Sequence, residues 1–232
     1  MGLAVEFPTI FAPAVKRALH NEVYDALRRA VSSGALRRGQ RVNEAEIARQ
    51  MQISRAPVRE AIRQLEHEGL LESVPRRGTF VVALTRDDVE EAYTLRADLE
   101  ARAVRRTMAR LTPETLELLD SLSDKMRSAA AAGNVDRFLE ADIQFHRTIV
   151  EAAGWPRLRR IWESLHPQTL TLYTVNTLTD WAPVDHARRH DPLLAAIRSG
   201  DPDAAAAAIQ KHILGVGAQV MRLSPIDSAS AT

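Results

Sequence analysis

The chain has 232 residues, no cysteine and a formal net charge of +1. The absence of cysteine excludes disulfides, thiolate metal ligands and thiol nucleophiles, and the length allows one large domain or two smaller ones. No stretch approaches the roughly 18 consecutive apolar residues of a membrane helix. The start of the chain, Met1 to Val15, carries Glu6 and two prolines without a basic start and apolar run, so it does not read as a signal peptide. The expectation is a soluble cytoplasmic protein.

The charge is unevenly spread. Residues 13–84 hold 13 Lys/Arg against 8 Asp/Glu, whereas residues 85–232 hold 18 against 21. A basic first third suggests a polyanion partner for that part alone.

In chain order, Lys16 to about Ser33 predicts a helix, with Val23, Ala26, Leu27, Ala30 and Val31 at helical spacing and Gly34 as its stop. A turn follows at Arg37-Arg38-Gly39-Gln40. Asn43 is placed to cap a short helix over Glu44 to Met51, with Ile47 and Met51 inward and Glu46 completing a capping-box-like pair. Gln52-Ile53 makes a tight turn. Ser54 is placed to cap a third helix, Arg55 to Glu68, which Gly69 closes. Two strand-like runs, Leu70–Val74 and Thr79–Ala83, flank the hairpin tip Pro75-Arg76-Arg77-Gly78.

Beyond that only helical patterning is present, over roughly 87–110, 113–132, 135–153, 156–179, 184–199 and 202–222, punctuated by Gly and Pro. The fold class is mainly α: a winged helix-turn-helix at 13–84, a linker at 85–89, a six-helix antiparallel bundle at 90–222 and a disordered tail at 223–232.

Helix, helix, turn, helix and a basic-tipped hairpin is the winged helix-turn-helix order. On the third helix Val58, Ala61, Ile62 and Leu65 fall on one side, with Arg55, Arg59 and Arg63 in a stripe beside them. Arginine in the first turns of a recognition helix can fork onto guanine O6 and N7 or clamp phosphates. Arg76 and Arg77 suit a phosphate or minor-groove contact, and Gly78 permits close approach or a positive φ.

In the helical half, Asp142 and His146 lie four apart on one helix, and His190 and His212 fall on or beside two later helices. A carboxylate and three imidazoles suit a divalent transition metal, with zinc first and nickel, manganese or iron as alternatives. The bland alternative is a hydrogen-bonded Asp142–His146 pair. Pro192 places His190 at a helix start, and His186 is the fallback ligand. His20, His67 and His166 read as surface or packing residues. Trp162, Tyr173 and Trp181 read as core residues before pocket residues. Arg96 could pair with an effector carboxylate or with Glu100 four residues on.

Residues 23–82 resemble the GntR family of bacterial regulators. The resemblance is carried by Ser33 to Glu44, by Ser54-Arg55-Ala56-Pro57-Val58-Arg59-Glu60-Ala61, by Leu65 to Leu70 and by Arg76-Arg77-Gly78-Thr79-Phe80-Val81. It implies DNA contacts from Arg55 and Arg59 and from the wing around Arg77 and Gly78; Ser54, Pro57, Arg63 and Arg76 are the further candidates for the DNA-binding surface. Some members carry a further arginine where this chain has Ala45, so that contact is missing. Residues 88–222 resemble the FCD effector domain of the FadR-like subfamily, most similar to its VanR-type branch, through Leu95 to Glu100, Asp142 to Arg147, Glu151 to Gly154, His190 with Ile197 to Asp201, and His212. Trp155 stands where an asparagine is usual. This resemblance implies a metal held by Asp142, His146, His190 and His212, a small carboxylate effector met by Arg96, and a homodimer on a near-palindromic double-stranded operator with no membrane partner. The expected function is a repressor released by its effector. The other readings are a metal-dependent hydrolase and an architectural DNA-binding protein.

Overall fold

A computed structural model describes residues 16–166 and 183–223. Tyr173, Trp181 and the tail expected beyond Leu223 lie outside them. The chain divides into two compact units between Val81 and Val82.

The first unit runs α1 (Lys16–Ser32), β1 (Arg41–Val42), α2 (Glu44–Gln50), α3 (Arg55–His67), β2 (Leu71–Val74) and β3 (Gly78–Val81). The helices α1 and α3 pack together. Of the residues that periodicity points inward, Val23, Leu27 and Val31 on α1 and Val58, Ala61, Ile62 and Leu65 on α3 are buried, whereas Ala26, Ala30, Ile47 and Met51 are half-buried and Ala48 is the buried residue of α2. Burying such aliphatic side chains stabilises by roughly 1.5–3 kcal/mol each. The sheet is antiparallel in the order β1-β3-β2, with Leu71 opposite Val81 and Arg41 opposite Phe80. The strand β1 has only two residues, too few for a period-two pattern, so the sequence shows a turn there.

Two caps differ from expectation. Asn43 does cap α2, accepting from the Ala45 and Glu46 amides, but Glu46 turns away to bond Arg49 and Gln50, so the box is only half made. Ser54 has extended backbone at the start of α3 yet makes no side-chain cap bond.

The second unit is helical: α4 (Arg86–Met108), α5 (Pro113–Ala131), α6 (Val135–Ala152), α7 (Pro156–Ser164), α8 (Pro183–Arg188), α9 (Asp191–Arg198) and α10 (Pro202–Leu223). The helix α10 lies along α4, α5 along α6, and α4 also meets α6. Phe145, Ile149, Trp162, Leu193, Ile209 and Ile213 are fully buried between them. Gly217 lets α10 approach α4 closely, since a Cβ there would sit 2.8 Å from Tyr93 Cγ.

The expected linker at 85–89 is instead a helix start. Thr85 and Asp88 form a reciprocal capping box and α4 begins at Arg86, so the Thr-x-x-Asp spacing is a start signal. The six expected helices also divide more finely. The segment 184–199 is two helices, because Pro192 in the first turn of α9 cannot continue α8. His190 stands at the position just before α9, as Pro192 implies, without a side-chain cap bond. The helix starting at Pro156 ends at Ser164 rather than running to 179, with His166 at φ +48° just beyond.

Candidate functional site

Two sets of residues carry chemistry, one in each unit. In the first unit α3 buries its apolar side, and Arg55, Arg59 and Arg63 are exposed, as is Ser54. Pro57 is a correction: it is buried, so it shapes the start of α3 and offers DNA no surface. Arg59 is held by Glu44, the first residue of α2, through Nε (3.2 Å) and Nη2 (2.7 Å). At the hairpin tip Arg76 is exposed with φ +64°. The Arg77 guanidinium carbon lies 5.9 Å from the Phe80 ring centre. Gly78 has φ +110°, and a Cβ there would come within 2.9 Å of Arg41 Nε. Glycine at 78 therefore serves both the turn and the approach of Arg41.

In the second unit Asp142, His146, His190 and His212 line one small cavity of about 30 Å³, with Arg96 and His186 completing its polar wall. Tyr93, Phe138, Ile213 and Val216 form the apolar side. One nitrogen from each of His146, His190 and His212 lies within 4.8 Å of the others. His190 Nε2 lies 3.2 Å from an Asp142 oxygen, but among the described residues neither buried His190 nitrogen, nor the buried His212 Nδ1, has a partner in hydrogen-bond geometry. Unbonded buried polar atoms are costly and uncommon, and here they converge.

The electrostatics favour ligand-ready forms. Burial pushes the His146 imidazole down, against the pull of Glu100. Burial, with His190 and His146 nearby, pushes His212 well down. Burial would raise the Asp142 carboxyl, but neighbouring His190, His146 and Arg96 hold it at about 2. Neutral imidazoles and an ionised carboxylate are what a metal needs. His186 is brought to about 4 by burial and by Arg189. His186 and Asp142 both line the cavity outside the cluster of three imidazoles, Asp142 reaching it through His190 at 3.2 Å.

Behind the cavity lies a residue that sequence reasoning saw only as a partner for Arg96. Glu100 is fully buried. It accepts from Arg96 Nε at 2.6 Å and Trp162 Nε1 at 2.8 Å through one oxygen, and its other oxygen lies 2.5 Å from His146 Nδ1. Burial would raise its pKa, but His146 and Arg96 hold it at about 2. With Nδ1 engaged, His146 can offer only Nε2 to a ligand, and a carboxylate behind a metal-binding histidine fixes its ring and raises its basicity. The available signal was an acidic residue on the buried side of α4. Arg96 is thus both paired with Glu100 and part of the cavity wall, so the two expectations for it are compatible.

A winged helix-turn-helix with exposed arginines, joined to a helical domain around a polar cavity, defines a DNA-binding transcription regulator. The chain belongs to the GntR family: residues 19–81 match the model for bacterial regulatory proteins of the gntR family, and residues 91–215 match the FCD domain. It is 34% identical over 193 residues to the "Probable D-xylose utilization operon transcriptional repressor" of Paenarthrobacter nicotinovorans, covering 83% of this chain and 84% of that one. It is 24% identical over 212 residues to the HTH-type transcriptional repressor RspR of Escherichia coli K12, covering 88% and 90%. Its fold is that of the E. coli McbR/YncC structure, with a TM-score of 0.70 at 24% identity over 88% of this chain and 97% of that one. These relatives are regulators, not enzymes, so the hydrolase reading is set aside. No helix among the described residues is long and apolar enough to cross a membrane.

Proposed function

We propose that this regulator is a metal-dependent repressor, released from its operator by a small carboxylate. The observation that carries this is the convergence of the imidazoles of His146, His190 and His212, with buried nitrogens of His190 and His212 that have no hydrogen bond among the described residues and His190 Nε2 3.2 Å from Asp142. Three nitrogens and one carboxylate suit a first-row divalent ion, zinc foremost, with nickel, manganese or iron as alternatives. The bound ion would supply a Lewis-acidic position for an effector carboxylate. Arg96, anchored by Glu100, would meet the same ligand from the cavity wall. His186 would face it as a neutral imidazole.

On the DNA side, Arg55, Arg59 and Arg63 would enter the major groove, Ser54 would meet a phosphate at the start of α3, and Arg76, Arg77 and Gly78 would contact the flanking backbone or minor groove. A homodimer would read a near-palindrome. The effector acts only through unequal affinity for DNA-competent and DNA-incompetent dimers.

The test is metal content by elemental mass spectrometry of tag-free protein, wild type beside His146→Ala, followed by gel-shift titration with carboxylates. About one metal per chain, lost in the variant, and DNA released by a carboxylate are expected. Metal-free wild type after reloading would overturn the metal site, and an effector that strengthened DNA binding would overturn the direction of control.

A further inference from the structure

Arg59 is the recognition-helix arginine whose direction is set by a neighbour. Both oxygens of Glu44 accept from it, one from Nε at 3.2 Å and one from Nη2 at 2.7 Å. Arg55 and Arg63 have no such carboxylate partner among the described residues. Glu44 in turn is rigidly placed: it opens α2, whose start Asn43 caps through two backbone amides.

The geometry divides the guanidinium. Five N–H bonds point outward in a fixed plane, and Glu44 takes the side edge formed by Nε and Nη2. The end edge, formed by Nη1 and Nη2, keeps two parallel N–H bonds. That is the pairing that guanine O6 and N7 accept. As a stabilising contact the pair counts for little, because the Arg59 side chain is 55% exposed and Glu44 28%, and exposed ion pairs add almost nothing to folding. Its consequence lies in recognition. A carboxylate at the side edge fixes the plane of Arg59, and its negative charge opposes the drift of that arginine onto a nearby phosphate.

We propose that Glu44 is the specificity-determining residue of the DNA-binding surface, holding Arg59 with its end edge presented to a guanine. This rests on the reading of α3 as the recognition helix. In its absence Arg59 keeps its charge but loses its aim, so affinity for DNA in general survives while preference for one base declines.

The experiment is selection of binding sites from random-sequence DNA by the full-length wild type and by Glu44→Gln, Glu44→Ala and Arg59→Ala, with binding then titrated on single-base variants at several salt concentrations. In the wild type, one guanine per half-site should be preferred roughly 5- to 150-fold, the range for a good bidentate contact, and Arg59→Ala should lose that preference. Both Glu44 variants should lose most of the preference at that same position alone, with unchanged melting temperature. Their binding to unrelated DNA should be equal or tighter, with a salt dependence steeper by up to about one phosphate contact. The proposal is overturned if either Glu44 variant keeps the wild-type preference at the Arg59 position, or if preference falls evenly at every position together with the melting temperature. If Arg59→Ala selects the same sequence as wild type, the reading of Arg59 itself fails, an outcome visible without the Glu44 variants.

Discussion

Each unit contains an arginine–glutamate pair, and the two pairs act in opposite ways. Arg59 and Glu44 meet at the surface of the DNA-binding unit, with the Arg59 side chain exposed and that of Glu44 half-buried. Arg96 and Glu100 meet inside the helical unit, at 5% and 0% side-chain exposure. In water an ion pair contributes little to stability because solvent serves both partners nearly as well, so the exposed pair is available to set direction. Inside, no solvent replaces a lost partner. Removing one member then leaves a buried charge uncompensated, at a cost of about 3–5 kcal/mol.

The largest effect that would break this comparison is therefore expected at Glu100. Glu100→Ala strands Arg96, frees His146 Nδ1 and removes the acceptor of Trp162 Nε1. It should destabilise the helical unit by about 3–5 kcal/mol in chemical unfolding. Glu100→Gln keeps the shape and should unfold less readily, while its metal affinity by chelator competition falls about 10–100-fold for want of the carboxylate behind His146. If Glu100→Ala were as stable as wild type, the burial argument would fail. Glu44→Ala should shift stability by no more than about 1 kcal/mol.

How much of this contrast the sequence carried depends on distance along the chain. The Arg96–Glu100 spacing is local to one helix and was legible as a pair. The bonds from Glu100 to His146 and Trp162 join residues 46 and 62 positions away, and no periodicity reports them. The four ligand candidates were legible mainly through resemblance, because a carboxylate and three imidazoles on separate helices have no spacing rule. In the DNA-binding unit the apolar face of α3 and the wing tip followed from local pattern. The two-residue β1 did not, because its pairing with β3 is set by a partner nearly forty residues on. Pro57 counts among the DNA-binding candidates only because it lies inside the motif, whereas its place on the helix puts it with Val58 among the buried residues.

Close packing in the helical unit should show an intermediate effect. Gly217→Ala puts a methyl carbon 2.8 Å from Tyr93 Cγ and 2.9 Å from its Cβ. Overpacking costs about 1–3 kcal/mol, and alanine returns up to about 1 kcal/mol in helix propensity. The expected net loss is up to about 2 kcal/mol by thermal or urea unfolding. A stabilised variant would show that α10 and α4 separate at little cost.

In the DNA-binding unit, Tyr24 donates its hydroxyl to both Glu68 oxygens, at 2.9 and 2.7 Å. Burial first, and then the Glu68 carboxylate, push the phenol pKa up. A group whose folded pKa is raised contributes stability below its unfolded value, here about 10, and loses it as pH rises through the folded value. Tyr24→Phe should therefore cost about 1 kcal/mol at neutral pH. It should also flatten the loss of stability above about pH 10. An unchanged alkaline profile in unfolding experiments would count against the pair.

The smallest effect separates folding from binding most cleanly. Asn43 and Ser54 both precede helices, yet only Asn43 bonds the amides behind it. Asn43→Ala should cost about 1 kcal/mol. Ser54→Ala removes no cap bond and should leave unfolding within about 0.5 kcal/mol of wild type. Its hydroxyl is exposed at the start of α3, where amides and side chains commonly hold phosphates. Ser54→Ala should then weaken operator and unrelated DNA alike, since a phosphate contact carries no base information. If Ser54→Ala instead unfolds as easily as Asn43→Ala while binding DNA normally, the hydroxyl caps α3 in solution and has no part in binding.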